Sequence, residues 1–378
     1  MKIKILGSTK IGQVPNKDEI LKLGGQAAGI CYMKTNFETI LNEDEQTTLK
    51  RIKNTLECGH HSVYGHFYLN IYFENIPKIL AMILNNEKVF NTSEKSARYT
   101  KMDIVGKEKE IYEKWEKLIY NMIKMKYPNF KEIRAQKLAM ENARYMISIF
   151  SPVTSMLYTV EYRQLNYIIN WCNSFIKEQI DDDFNIKIKK VLKEFIDVFG
   201  NYTEQRLNTT NKLRKLSLFD YKNRKEEWGE SYCTNYWASF SELAQLQRHR
   251  TIYYEMQFVN QSKYYIPKII RNTCLEDEWV RDITKLDYPQ GKLVMVNERG
   301  TYENFLAKCF ERLCGEVQLE TMDQTRKTLK KYIENVQKVN LDIYDALKKY
   351  DTDGPRCTFG FKCTKPCDFG KNAFERDI

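Results

Sequence analysis

The 378 residues carry 60 Lys and Arg against 50 Asp and Glu, a formal charge of +10, with 42% hydrophobic, 13% aromatic and 29% charged residues. That balance belongs to a folded globular chain and excludes disordered and fibrous classes. The length suits two domains or one large one. The longest nearly apolar stretch, Ile79 to Leu84, falls far short of the roughly 20 residues a spanning helix needs, so no membrane segment is expected. Met1 to Gly7 is too short and too charged for a secretory signal, and ten scattered cysteines then read as reduced thiols in a cytoplasmic protein. The positive excess favours anionic partners without choosing among them.

In chain order, His66 to Phe73 is aromatic and β-branched like a strand, and Pro77 opens a helical stretch through Leu84. A polar segment runs on to Tyr99, followed by helical patterns over Lys107–Lys126 and Asn129–Met146, with Asp181–Leu207 bridging the halves. The same change of period then recurs. Tyr232–Phe240 reads as a strand and Ser241 as the cap of a helix over 241–247. A polar segment ends at Tyr264-Tyr265-Ile266-Pro267, and helical patterns follow over Tyr302–Tyr350. The expectation is an α+β chain built by internal duplication, each repeat a small antiparallel sheet packed with long helices. The repeats would span residues 1–205 and 206–350, with their boundary near 205–230 and a cysteine-containing tail over 351–378.

Several short segments could carry chemistry. Arg248-His249-Arg250 closes the second repeat's helix just after Gln245, where a planar guanidinium can fork onto a phosphate or carbonyl. The plain alternative is a solvated basic helix end. His60, His61 and His66 lie together, but a zinc site lacks a further ligand, and imidazoles that tie down a loop by hydrogen bonds are the simpler reading. Glu94-Lys95-Ser96-Ala97-Arg98-Tyr99 joins a carboxylate, a hydroxyl and a guanidinium in one polar segment. Arg144 and Arg312 sit on helices among apolar neighbours, where an arginine snorkels or finds an anion, and snorkelling is the commoner outcome. Cys357, Cys363 and Cys367 offer three thiols, too few for a closed structural metal site, so no metal is expected and unligated or loop-stabilising thiols are the reading.

Taken together these segments resemble the flavin-dependent thymidylate synthases. Gly59 to His66 matches that family's Gly-His-x-Ser/Thr-x-x-x-His opening, Glu94 to Tyr99 its E-x-S-x-R-Y loop, and Ala143-Arg144 its Ala-Arg. Tyr158 to Arg163 matches its W-T-V-N-x-R, with Glu161 in place of the amide. The second repeat supplies Q-x-x-R-H-R in Gln245 to Arg250 and R-x-x-x-x-x-Q-x-E in Arg312, Gln318 and Glu320. The losses are complementary. Where the first repeat should carry R-H-R it has Asn85-Asn86-Glu87-Lys88, and Cys172 replaces its late-helix arginine. The second repeat shows Met256 to Asn260 in the region of the serine loop.

The resemblance implies one composite site per chain and methylation of dUMP at carbon 5. Methylenetetrahydrofolate would give the carbon, FAD would carry it, and NADPH would recharge the flavin. Glu94, Ser96, Ala97, Arg98, Arg144, Gln245 and Arg248 would hold the nucleotide, and Arg312 would stabilise charge developing on the uracil ring. Ser62, Arg163, Arg248, His249 and Arg250 would contact the flavin, with affinity weakened by Glu161. A homodimer of fused repeats would stand for the family's tetramer. The alternatives are a pyrimidine nucleotide hydroxymethylase and a non-catalytic paralogue that binds nucleotide or nucleic acid. Lys and Arg dispersed among Asp and Glu make nucleic acid the weaker partner.

Overall fold

The computed structural model describes residues 2–9, 14–30, 36–180, 182–208, 214–364 and 367–378. In chain order these form β1 (Lys2–Ser8), α1 (Lys17–Ile30), α2 (Phe37–Leu41), α3 (Glu45–Glu57), β2 (Tyr68–Ile76), α4 (Lys78–Leu84) and β3 (Phe90–Glu94). Next come α5 (Gly106–Lys126), α6 (Glu132–Ala143), β4 (Thr154–Glu161), α7 (Tyr162–Lys177) and α8 (Asp183–Val198). The remainder is β5 (Ser231–Ser239), α9 (Phe240–Leu246), β6 (Tyr253–Gln257), α10 (Glu276–Ile283), β7 (Leu293–Thr301), α11 (Tyr302–Arg312), α12 (Leu319–Val336) and α13 (Leu341–Thr352). The fold is α+β with small antiparallel sheets, as expected. None of the described helices is long and apolar enough to cross a membrane.

The chain divides into two compact units, one of residues 1–95 and 152–217, the other of 96–151 and 218–378. This differs from a division at residue 205, because the segment between β3 and β4 packs with the second half of the chain. The reason is visible in α5 and α6. Trp115 of α5 meets Trp279 of α10 edge to face at 4.9 Å and donates its indole N–H to Asp282 at 3.1 Å. After α6, the backbone of Gln290 donates to Ile147 O at 2.7 Å and that of Gly291 to Tyr145 O at 2.9 Å. Gly291 has to be glycine, since a Cβ there would sit 2.7 Å from Ile283 and 3.0 Å from Tyr145. No linker or composition shift marks these joins.

In the first unit the sheet order is β1-β2-β4-β3. Leu69, Ile71, Phe73 and Ile76 of β2 and Met156, Tyr158 and Val160 of β4 alternate inward at the two-residue period of a half-buried sheet. Pro77 precedes α4, whose apolar residues Ile79 to Leu84 are all buried. The helix read as Asp181–Leu207 is shorter, ending at Val198, and Asp181 lies outside the described residues.

In the second unit the order is β5-β7-β6, so the strand after the short helix and the third strand take equivalent places in both sheets. The cap of α9 is Ser239, not Ser241: with φ −71° and ψ 158°, its hydroxyl accepts from Glu242 N at 3.0 Å. The helical pattern of Tyr302–Tyr350 is three helices, α11, α12 and α13, that close on a core containing Tyr232, Phe305, Met322, Leu329 and Tyr332. β6 and β3 lie inside segments read as merely polar, and β1 and β7 also went unread; each is short or interrupted by charge.

Candidate active site

The second unit gathers arginines. Ser96, Ala97 and Arg98 form a turn after the first sheet, in which Ser96 Oγ accepts from Arg98 N at 3.3 Å. Arg98 is 9% exposed and donates from Nε to Glu141 at 2.5 Å and from Nη2 to Glu316 O at 2.6 Å. Arg144 follows α6 and is 7% exposed; it donates to Gln318 Oε1, and its Nε–H has no hydrogen-bond partner among the described residues. Neither guanidinium snorkels. Arg312, the last residue of α11, donates from Nε to His249 Nε2 at 2.6 Å. Gln245 is buried on α9, and Arg248 and Arg250 beyond it are exposed while His249 is buried.

These groups act on one another electrically. Arg98 and Arg248 both disfavour the charge on Arg312, and Arg98 does the same to Arg144. Burial alone would raise the Glu141 carboxyl, but Arg98, Arg144 and Arg376 outweigh it and hold it below the usual carboxylate range. Burial, reinforced by Arg312 and Lys308, pushes His249 down to about 2. The imidazole is therefore neutral, and because Nε2 accepts from Arg312, its proton sits on Nδ1.

A second network holds the arginines in place. Glu320 accepts from Tyr145 at 2.8 Å, from Ser239 Oγ at 2.7 Å and from Gln318 Nε2 at 3.1 Å, so the residue that takes Arg144 is itself anchored. The tail contributes too. Arg376, 3% exposed, donates to Gly315 O at 2.8 Å and to Val317 O, pinning the connection between α11 and α12. Sequence reasoning did not single out Glu141, Tyr145, Ser239 or Arg376. For Glu141, whose partner Arg98 lies 43 residues earlier, and for Arg376 the sequence offers no signal.

Three expected site residues lie in the first unit. Glu94 accepts from Lys78 at 2.5 Å and from Thr154 at 3.2 Å. Arg163 is closed onto Glu161, with Nε and Nη2 at 2.8 and 2.5 Å from the same carboxylate oxygen. Ser62 lies in the 3-10 turn His61–His66. His61 does tie that turn down, lying 3.2 Å from Leu56 O and 3.3 Å from the Tyr167 hydroxyl. No group of three His, Cys, Asp or Glu suited to a metal ion is assembled among the described residues.

Residues 14–180 match the sequence profile of the thymidylate synthase complementing protein family. The chain is similar to the flavin-dependent thymidylate synthase of Thermococcus onnurineus, 25% identical over 145 residues, which cover 35% of this chain and 56% of that relative's length. Among solved structures it is similar to the UMP/dUMP methylase PolB of Streptomyces cacaoi bound with 5-Br dUMP, at a TM-score of 0.35 and 14% identity, over 55% of this chain and 93% of that one. A thymidylate synthase of Helicobacter pylori complexed with FAD and dUMP gives 0.31 and 15%, over 54% and 100%. With scores below 0.5, neither likeness defines the fold by itself.

Proposed function

We propose that this chain is a thymidylate synthase-like enzyme that methylates carbon 5 of dUMP in a site assembled from both halves of a duplicated sequence. The observation that carries the reading is the arginine cluster. Arg98 and Arg144 come from the first sequence repeat and Arg248 and Arg312 from the second, and all four share one compact unit. Like charges held together against mutual repulsion, with an unpartnered buried Nε–H on Arg144, are a site prepared for an anion. A nucleoside monophosphate supplies the dianion, and its pyrimidine carbonyls supply further acceptors.

In this reading Ser96, Ala97, Arg98, Arg144, Gln245 and Arg248 fix phosphate, sugar and base, so that orientation is settled before reaction. Arg312, its Nε–H directed onto neutral His249 and its Nη2 3.7 Å from Glu311, would turn its other N–H groups to a uracil oxygen on which negative charge develops. FAD supplies the redox chemistry when bound, with NADPH as reductant and methylenetetrahydrofolate as carbon source, and His249 and Arg250 would hold it. Arg163 and Ser62 fit it less well, because Glu161 already neutralises the guanidinium. That ion pair favours the second reading, a pyrimidine nucleotide binder without turnover. Glu94 is committed to Lys78 and Thr154 within the first unit.

The test is an absorption spectrum of the purified protein for flavin, followed by NADPH oxidation with and without dUMP. Oxidation stimulated by dUMP and lost in both Arg144→Ala and Arg248→Ala supports the composite enzyme. Tight dUMP binding with no flavin and no oxidation supports the binder, and absence of dUMP binding removes both.

A further inference from the structure

Residues 313–318, which connect α11 to α12, hold two arginines of the cluster. The Glu316 carbonyl accepts from Arg98 at 2.6 Å, and the Gln318 side chain accepts from Arg144. The connection belongs to neither helix; within it, Val317 N donates to Cys314 O at 3.1 Å. Loops of this kind open locally unless other groups fix them, and an arginine bonded to such a loop moves with it. The aim of Arg98 and Arg144 therefore depends on whatever holds residues 313–318.

Residues 367–378 do the holding. Arg376 donates to Gly315 O at 2.8 Å and to Val317 O, the two carbonyls that flank Glu316. A guanidinium is planar and presents its N–H groups as a rigid fork, so it holds both carbonyls at once and leaves the one between them to Arg98. Gly315 admits this packing because it has no side chain: a Cβ there would lie 2.6 Å from Cys367 Sγ and 3.4 Å from Phe369 Cβ. The holding segment is itself anchored on the end of α5. Asp377 accepts from Lys126 and from the Tyr127 hydroxyl, and Phe369 meets Phe130 edge to face at 5.5 Å. Burial disfavours the charge on Arg376, Glu141 favours it, and Arg98 and Arg134 disfavour it, so this side chain is also an electrical member of the cluster. Its Nε–H has no hydrogen-bond partner among the described residues, which leaves the two carbonyls as the contacts that fix its fork.

We propose that Arg376 is a positioning residue for nucleotide binding: by forking onto Gly315 and Val317 it sets the Glu316 carbonyl and the Gln318 side chain, and through them the guanidiniums of Arg98 and Arg144. It acts without touching the nucleotide. The inference deepens the proposed function and rests on it for the ligand, dUMP. Shape rather than charge is the contribution, because a lysine at 376 would keep the positive charge beside Glu141 yet could not span two carbonyls with a fixed fork.

The full chain is compared with Arg376→Lys, Arg376→Met and a control, Glu87→Gln, which takes a buried carboxylate from Arg214 and Ser217 and touches none of these groups. dUMP is titrated by calorimetry, and amide hydrogen exchange over residues 313–318 is read without it. Arg376→Lys should weaken dUMP about tenfold, close to the loss in Arg376→Met, and speed exchange over 313–318, while Glu87→Gln leaves both within about twofold. Combined with Arg98→Lys, the loss in Arg376→Lys should fall short of the product of the two single losses by at least about threefold, because one side chain acts through the other. Full dUMP affinity in Arg376→Lys, a strictly multiplicative pair, or an equal loss in Glu87→Gln overturns the role. If the unsubstituted chain does not bind dUMP while Arg376→Lys alone still speeds exchange over 313–318, the proposed function falls and the hold on the connection stands; if neither is seen, both fall.

Discussion

The end of α4 in the first unit and the end of α9 in the second occupy the same place in their sheets, yet they have been put to opposite uses. After α9, Arg248, His249 and Arg250 leave two guanidiniums at the surface and feed a cluster that repels itself. After α4, the corresponding stretch carries Glu87, fully buried, which takes Arg214 at 2.5 Å and the Ser217 backbone N–H at 2.6 Å, while Asn86 donates to Ser217 Oγ at 2.7 Å. Arg214 also lies over Trp171 at 3.5 Å, beside the buried Cys172. The chain thus fills the first position with an ion pair of its own and leaves Arg248 exposed at the second.

This contrast can be broken by substitution. The largest effect is expected from Glu87→Gln, which leaves Arg214 and the Ser217 backbone N–H without a carboxylate and should cost about 3 kcal/mol of unfolding free energy in urea, with dUMP affinity within about twofold. Arg144→Ala should do the reverse. It removes a buried, charge-assisted contact and should weaken dUMP by about 100-fold in calorimetric titration, with a smaller loss of stability. If Glu87→Gln abolished nucleotide binding, the two ends would not have separate roles.

His249 sharpens the comparison through pH. Its folded value near 2 lies below the ordinary histidine value, so between the two the unfolded chain takes up a proton that the folded chain refuses. Stability therefore falls as pH falls below about 6.5, by up to about 1.4 kcal/mol per unit from this group. His249→Gln should flatten that slope in urea unfolding at pH 6.5, 5.5 and 4.5. The smallest effect is expected at Arg248, which is exposed: Arg248→Ala should weaken dUMP about tenfold at low salt and less at 0.5 M, because its contribution is screened.

The candidate site was legible as short local strings. Ser96 to Arg98, Arg144, Gln245 to Arg250 and Arg312 each stand out by residue type and spacing, and they fall in one compact unit. What could not be read was the support. Glu141 and Arg376 owe their roles to chain segments that come together only on folding, and the packing of 96–151 with the second half has no linker to betray it. The strands β6 and β7 were hidden for another reason. Glu255, Glu298 and Arg299 put charge where alternation would be sought, and only the ion pairs of the folded sheet, Arg299 to Glu255 at 3.1 Å and Lys308 to Glu298 at 2.7 Å, make such strands tolerable.

The neutral imidazole of His249 accepts from Arg312. Guanidiniums do not titrate in the physiological range, and His249 has been removed from it, so the arginines and His249 present the same charge at pH 5.5 as at pH 8. If this cluster binds a nucleoside monophosphate as proposed, acid weakening of binding should trace the second ionisation of the phosphate monoester, near 6, and a phosphonate or sulfate analogue should shift or abolish it.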